Sequence, residues 1–194
     1  MSRGEGRALR PDHRRVSRVR RCDRDRLLAG ADFQKSQNDY DWLGAGIYFW
    51  EYGFDRAARF TREQVIRGRV TNPTVVGALI QLGNCFDLMD TRFTEELSTA
   101  YDMLQKAYAE KATPLPTNDG KSPDKKLRRL DCAVLNFYLA WLENEGLHYD
   151  SVRCGFVEGQ PAFPESGIHE QSHVQISGRN PSCIIGVFRP KLSS

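Results

Sequence analysis

The sequence predicts a single α+β domain, and three observations carry that prediction. Short apolar, β-branched runs are bounded by glycine, proline and asparagine; amphipathic stretches are long enough for helices; and the two kinds do not alternate regularly. At 194 residues, with 40% apolar and 10% aromatic side chains, the chain is long enough to bury one core and short for two.

Taken in order, residues 23–29 form a short helix closed by Gly30, and residues 31–41 are rich in turn formers such as Asn38 and Asp39. Residues 45–50 are a compact aromatic run that enters the core as a strand. In residues 54–66 the spacing of Phe54, Ala57, Ala58, Val65 and Ile66 is helical. Residues 74–82 are β-branched between Asn72-Pro73 and Gly83-Asn84, which makes a buried strand. Leu97, Tyr101, Leu104 and Tyr108 give residues 94–111 one apolar helical face, with Glu95 and Glu96 near its positive end. Residues 113–124 read as an exposed loop. Leu127, Leu130, Val134, Phe137, Tyr138, Trp141 and Leu142 mark a further helix that ends near Gly146. Residues 155–167 are punctuated by glycine and proline and read as a structured loop. Residues 173–177 and 183–188 then form a hairpin across the turn Gly178-Arg179-Asn180-Pro181.

No apolar run approaches the roughly 18 residues of a membrane span, and the chain opens on arginines, so a cytoplasmic protein without membrane attachment is expected. Five scattered cysteines, with no Cys-x-x-Cys pair, read as reduced thiols, Cys85, Cys132 and Cys183 being small core hydrophobes. Charge is uneven. Residues 1–26 hold ten arginines against four acids, a net of +6, so the rest of the chain carries −3 of the overall +3. We therefore expect a basic, disordered arm over 1–26 and one domain over 27–194. Such an arm can hold nucleic acid through phosphates, but no aromatic interleaves with its arginines, and a solvated terminus is the simpler reading.

Gly44-Ala45-Gly46-Ile47-Tyr48-Phe49, followed by Ala57-Ala58-Arg59-Phe60, carries the functional signal. Glycines let the backbone turn and let a flat ligand approach, and an aromatic ring face beside them can stack on it. The ordinary reading of Tyr48, Phe49 and Trp50 is a strand's core aromatics. Residues 43–61 resemble the nicotinamide-site segment of the ADP-ribosyltransferase superfamily, in particular poly(ADP-ribose) polymerase-like catalytic domains. Residues 77–88 (GALIQLGNCFDL) are similar to a later strand of the same domains.

The resemblance implies two small antiparallel sheets with flanking helices around an NAD cleft, and NAD as substrate with no metal. It implies nicotinamide held by Gly44, Gly46, Tyr48 and Phe60, with Ala57 standing where the family has a serine. Asn38 and Trp42 fall in the loop that would cover the cleft. Gln175 takes the place of the catalytic glutamate beside the reacting ribose, and a neutral amide stabilises positive charge only in part. That favours mono-ADP-ribosyl transfer to a protein or nucleic acid, with NAD glycohydrolysis or an impaired NAD- or ADP-ribose-binding module as the alternative. Tyr48 and Gln175 are then the catalytic pair, and Glu165, Glu170 and His173 belong to the acceptor-side loop. The family's histidine-glycine pair on the first strand has no counterpart near Val16-Ser17-Arg18-Val19. Small bacterial members include toxins, which implies an antitoxin or inhibitor partner.

His169-Glu170-Gln171-Ser172-His173 also spells the zinc-protease signature His-Glu-x-x-His. That chemistry needs both imidazoles on one helix face and a third ligand. Here a glycine-rich loop leads into an alternating, strand-like run, and no acid or histidine follows His173, so a zinc hydrolase ranks third.

Overall fold

The computed structural model describes residues 13–68, 73–120 and 125–190. It is an α+β structure of nine strands and four helices among those residues: β1 (His13–Arg20), α1 (Arg21–Leu28), β2 (Ile47–Glu51), α2 (Phe54–Ile66), β3 (Pro73–Ile80), β4 (Cys85–Asp87), α3 (Thr91–Glu110), β5 (Asn118–Asp119), β6 (Leu127–Arg128), α4 (Arg129–Asn144), β7 (Ser151–Phe156), β8 (His173–Gly178) and β9 (Ile184–Phe188). No helix among them is long and apolar enough to cross a membrane.

Seven strands form one sheet in the order β4-β7-β8-β2-β1-β3-β9, and β5 and β6 make a two-stranded ribbon. The sheet is antiparallel except between β4 and β7. Two separate antiparallel sheets were expected. Instead two halves, β4-β7-β8-β2 and β1-β3-β9, are joined by a narrow seam where Arg15 lies opposite Glu51 and Val16 opposite Trp50.

Local chemistry explains the helices. Asp90 caps α3 by accepting from the Arg92 N–H at 3.1 Å, which starts the helix earlier than its apolar spacing suggests. The cap of α4 comes from outside the helix: Asn118 Oδ1 accepts from Leu130 N at 2.9 Å and Asp131 N at 3.3 Å. Residues 113–117 are irregular and mostly exposed, as expected, while Asn118 of β5 ties the end of the segment to α4; residues 121–124 lie outside the described residues. The largest apolar cluster packs Phe93 and Leu104 of α3 and Leu135 and Leu139 of α4 against Leu43, Phe86 and Val152. A smaller one joins Ile47, Phe49, Ala78, Ile80 and Cys183 across the two halves. Cys132 and Cys183 are buried as expected, and Cys85 is half-buried.

Two further expectations are corrected. From His13 the chain is not an arm: β1 pairs with β3 over eight residues and α1 follows directly, so the arginines from Arg14 to Arg26 belong to regular structure. The first twelve residues of that expected arm lie outside the described residues. Nor do β8 and β9 form a hairpin. β8 pairs with β2 and β7, whereas β9 pairs with β3 in the other half. The reason lies in the connection: Arg179 N and Asn180 N donate to the Asp150 carbonyl at 2.8 and 2.9 Å, and Asn180 Oδ1 accepts from Ser182 N at 3.1 Å. These bonds steer the chain across the sheet instead of reversing it.

Candidate functional site

A cleft of about 1150 Å³ opens over β2, between α2 and the loop at residues 31–42. On β2 and β8, Tyr48 lies opposite Ser177 and Trp50 opposite Gln175. Strand alternation therefore puts Tyr48, Trp50 and Gln175 on one face, and His173 joins them two residues before Gln175. Tyr48, Trp50, Phe60 and Gln175 all line the cleft, as do Gly46, Asn38 and Trp42.

The remaining residues singled out from sequence fall elsewhere. Ala57 is fully buried against Trp50 beneath α2 and does not reach the cleft. Gly44 is not part of the lining, and both glycines answer to packing rather than to room for a ligand. Gly44 holds φ +71 with Asn136 Oδ1 2.6 Å from where its Cβ would stand, and a Cβ on Gly46 would overlap Ser177 Oγ. Gly46→Ala is accordingly expected to destabilise the protein by about 1–3 kcal/mol in urea unfolding, with partial recovery when Ser177→Ala is added. Equal stability of wild type and Gly46→Ala would sink this account. Glu165 and Glu170 are exposed and outside the cleft lining. His169 and His173 share no helix face: residues 161–172 contain no helix, and each Nδ1 faces a backbone carbonyl, Gly159 O at 3.0 Å and Gln171 O at 2.7 Å. Glu51 is held by Arg153 at 2.7 Å, and Arg153 also reaches Asp87 at 3.1 Å, an ion-pair chain apart from the cleft lining.

The Tyr48 hydroxyl serves the backbone. It donates to the Gly44 carbonyl at 2.6 Å and accepts from the Leu43 N–H at 2.8 Å, which fixes the turn into β2 and leaves its ring beside the cleft. Burial, with the charge of Asp41 second, raises this phenol well above its ordinary pKa, so it stays neutral. The loop above is braced in the same way: Asn38 donates to Ser36 Oγ at 2.8 Å, and Trp42 Nε1 donates to the Lys126 carbonyl at 2.9 Å.

Sequence reasoning missed the most heavily charged part of the site. Glu158 lies just past β7 in the glycine- and proline-rich segment, with its side chain only 2% exposed. It binds Arg56 Nη2 and Lys126 Nζ, both at 2.6 Å, and all three residues line the cleft. Burial pushes the Glu158 carboxyl up, but the hydrogen bonds from Lys126 and Arg56 outweigh burial and hold it below the ordinary carboxylate range. Arg56 also lies 5.7 Å over the Trp50 ring and 5.9 Å over Phe60. One signal was available. Arg56, Phe60 and Glu63 of α2 and Arg67 just past its end recur at helical spacing, and that stripe is the one that lines the cleft.

His173 lies behind Gln175. Its side chain is 4% exposed, beside the Trp42 ring (centroids 6.1 Å apart) and the Phe156 ring (5.8 Å), which pack on each other. Its Nε2 is 2.9 Å from Gln175 Nε2 and its Nδ1 3.7 Å from Glu158 Oε2. Burial, aided by Arg56 and Arg128, lowers its pKa against the opposing pull of Gln171 O and Glu158. Comparison with protein-family models, curated proteins and solved structures finds no match for this chain.

Proposed function

We propose that this cleft binds NAD and that the protein is a mono-ADP-ribosyltransferase of the split-sheet ADP-ribosyltransferase type, modifying a protein or nucleic acid. The observation that supports the reading is the convergence of Tyr48 and Phe60 with Gln175, more than a hundred positions later in the chain, on one cleft of about 1150 Å³, roomy enough for a dinucleotide. The narrow seam between the two halves of the sheet suits the same reading.

In this scheme the nicotinamide ring stacks between Tyr48 and Phe60, while the Asn38–Trp42 side of the loop covers the rest of the ligand. The bond from the ribose C1′ to the nicotinamide nitrogen breaks and its electron pair leaves with nicotinamide. An acceptor lone pair then bonds to C1′, and the acceptor proton passes to water. Gln175 offers its amide oxygen to a ribose hydroxyl and its dipole to the positive charge growing on the sugar. An amide does this less well than a carboxylate, which favours transfer of one unit over chain growth. With most of the basic segment built into β1 and α1, nucleic acid gains no preference over protein as the acceptor.

The test is incubation with NAD labelled in the ADP-ribose and nicotinamide halves. Wild type is expected to release nicotinamide; Gln175→Ala should lower the rate roughly a hundredfold, as for loss of one transition-state partner. Tyr48→Ala should weaken NAD binding about tenfold, the worth of one stacked ring. Absence of NAD binding by the wild type defeats the reading. Binding without nicotinamide release instead favours an NAD-binding module, a second reading motivated by the neutral Gln175.

A further inference from the structure

We infer that His173 is a positioning residue that decides which end of the Gln175 amide faces the cleft, and that protonating its ring reverses that choice. The consequence for catalysis rests on the NAD reading above; the orientation itself does not.

The hydrogen-bond logic has little freedom. The Gln171 carbonyl, 2.7 Å from His173 Nδ1, can only accept, so Nδ1 carries a hydrogen. The Glu158 carboxylate, 3.7 Å from the same nitrogen, places negative charge on that side and keeps the hydrogen there. In the neutral ring Nε2 is then a bare acceptor. Gln175 approaches it at 2.9 Å, and of the two ends of an amide only the NH₂ can donate. The amide oxygen is left for the cleft that Gln175 lines. Trp42 and Phe156, packed edge to face on each other, both lie against the imidazole, and its side chain is only 4% exposed.

Acid undoes the arrangement. The groups that face His173 are Glu158 and the Gln171 carbonyl, which favour its charged form, and Arg56 of α2 and Arg128 of β6, which with burial oppose it; Lys126 acts through its bond to Glu158. Burial and the two arginines prevail, so the ring is neutral at neutral pH and gains its second proton below the ordinary histidine range. Once protonated, Nε2 must donate. The Gln175 amide then has to give its oxygen to the ring, and its NH₂ swings toward the cleft. A hydrogen-bond donor with its positive end toward a sugar that is itself becoming positive has the wrong sign.

Nitrogen-15 spectra of the histidine rings in the full-length protein, with His173→Gln to assign the signal, read the tautomer directly. The expected result is a neutral ring with its hydrogen on Nδ1, which becomes doubly protonated only below the ordinary histidine range. A hydrogen on Nε2 at neutral pH overturns the inference. Kinetics give the second arm. His173→Phe should lower kcat for nicotinamide release about tenfold, the worth of about one hydrogen bond, with KM within about twofold. His173→Gln, whose side-chain oxygen can still accept from Gln175, should recover most of that loss and abolish the acid limb of the wild-type pH profile. Equal losses in both variants, or an effect on KM alone, would refute the positioning role. Should the wild type release no nicotinamide, the NAD reading falls, and the ring spectrum still decides the orientation of the amide.

Discussion

Replacing Glu158 with Gln is expected to cost about 3 kcal/mol of stability and to lower the melting midpoint by roughly 6–12 °C. The substitution keeps the shape of the side chain and removes only its charge. Arg56, 11% exposed, then keeps its positive charge with no other carboxylate paired to it among the described residues, the costly half of breaking a buried pair. The figure sits at the low end for such sites because Lys126, 38% exposed, can turn its ammonium to water. The pH dependence has a definite sign. A carboxylate whose folded pKa is depressed contributes stability above its unfolded pKa and loses it as pH falls through the folded value. The gap between wild type and Glu158→Gln in urea unfolding should therefore be full at neutral pH. It should close only below the ordinary carboxylate range. A gap below about 1 kcal/mol at neutral pH would mean that this carboxylate does not hold its two cations.

Phe86→Ala is expected to be at least as damaging, at about 3–5 kcal/mol. Strand β4 has only three residues and pairs with β7 alone, so its backbone anchors it weakly at the rim of the sheet. The Phe86 ring supplies the attachment. It is fully buried, with its centroid 4.7 Å from Phe93, 5.2 Å from Tyr149 and 6.0 Å from Tyr138. Truncation empties a space enclosed by three aromatic rings that cannot collapse together. Phe86→Leu should restore more than half of the loss by refilling most of that volume. If alanine and leucine prove equally tolerated, the packing of α3 and α4 on β4 does not depend on this ring.

The elements that could be read from the sequence are those decided locally. Helix α2 spans Phe54–Ile66, as its apolar spacing predicts, because Phe54 and Ala57 pack with Trp50 and Val75 of the sheet, although Val65 and Ile66 of that spacing are exposed. Strand β2 was legible for the same reason, since an uncharged aromatic run has nowhere to go but the interior. Strand β1 was not. Its eight residues include four arginines and a histidine, a pattern that reads as solvated, yet backbone pairing with β3 along its whole length prevails over side-chain character. The hairpin expectation failed because turn residues at 178–181 report a bend and not its direction, which Asp150 sets from a distant part of the chain. At the site, Tyr48, Phe60 and Gln175 stood out because aromatic and amide positions matched a pattern. Glu158 did not. Its partners are 102 and 32 positions away, and no local spacing encodes an ion pair made only after the chain has folded.

The route of the chain across the seam has a consequence for how safely this fold can be made. Strand β3 carries Thr74-Val75-Val76-Gly77-Ala78-Leu79-Ile80, an uncharged β-rich segment of the kind that templates aggregation when one of its edges is open. One edge is paired along its whole length by β1. The other is paired, along Gly77–Ile80, by β9, which follows the whole opposite half of the sheet in the chain. Whenever β9 is undocked that edge is open, so Ile184–Phe188 is as much a guard against association between chains as it is a seventh strand.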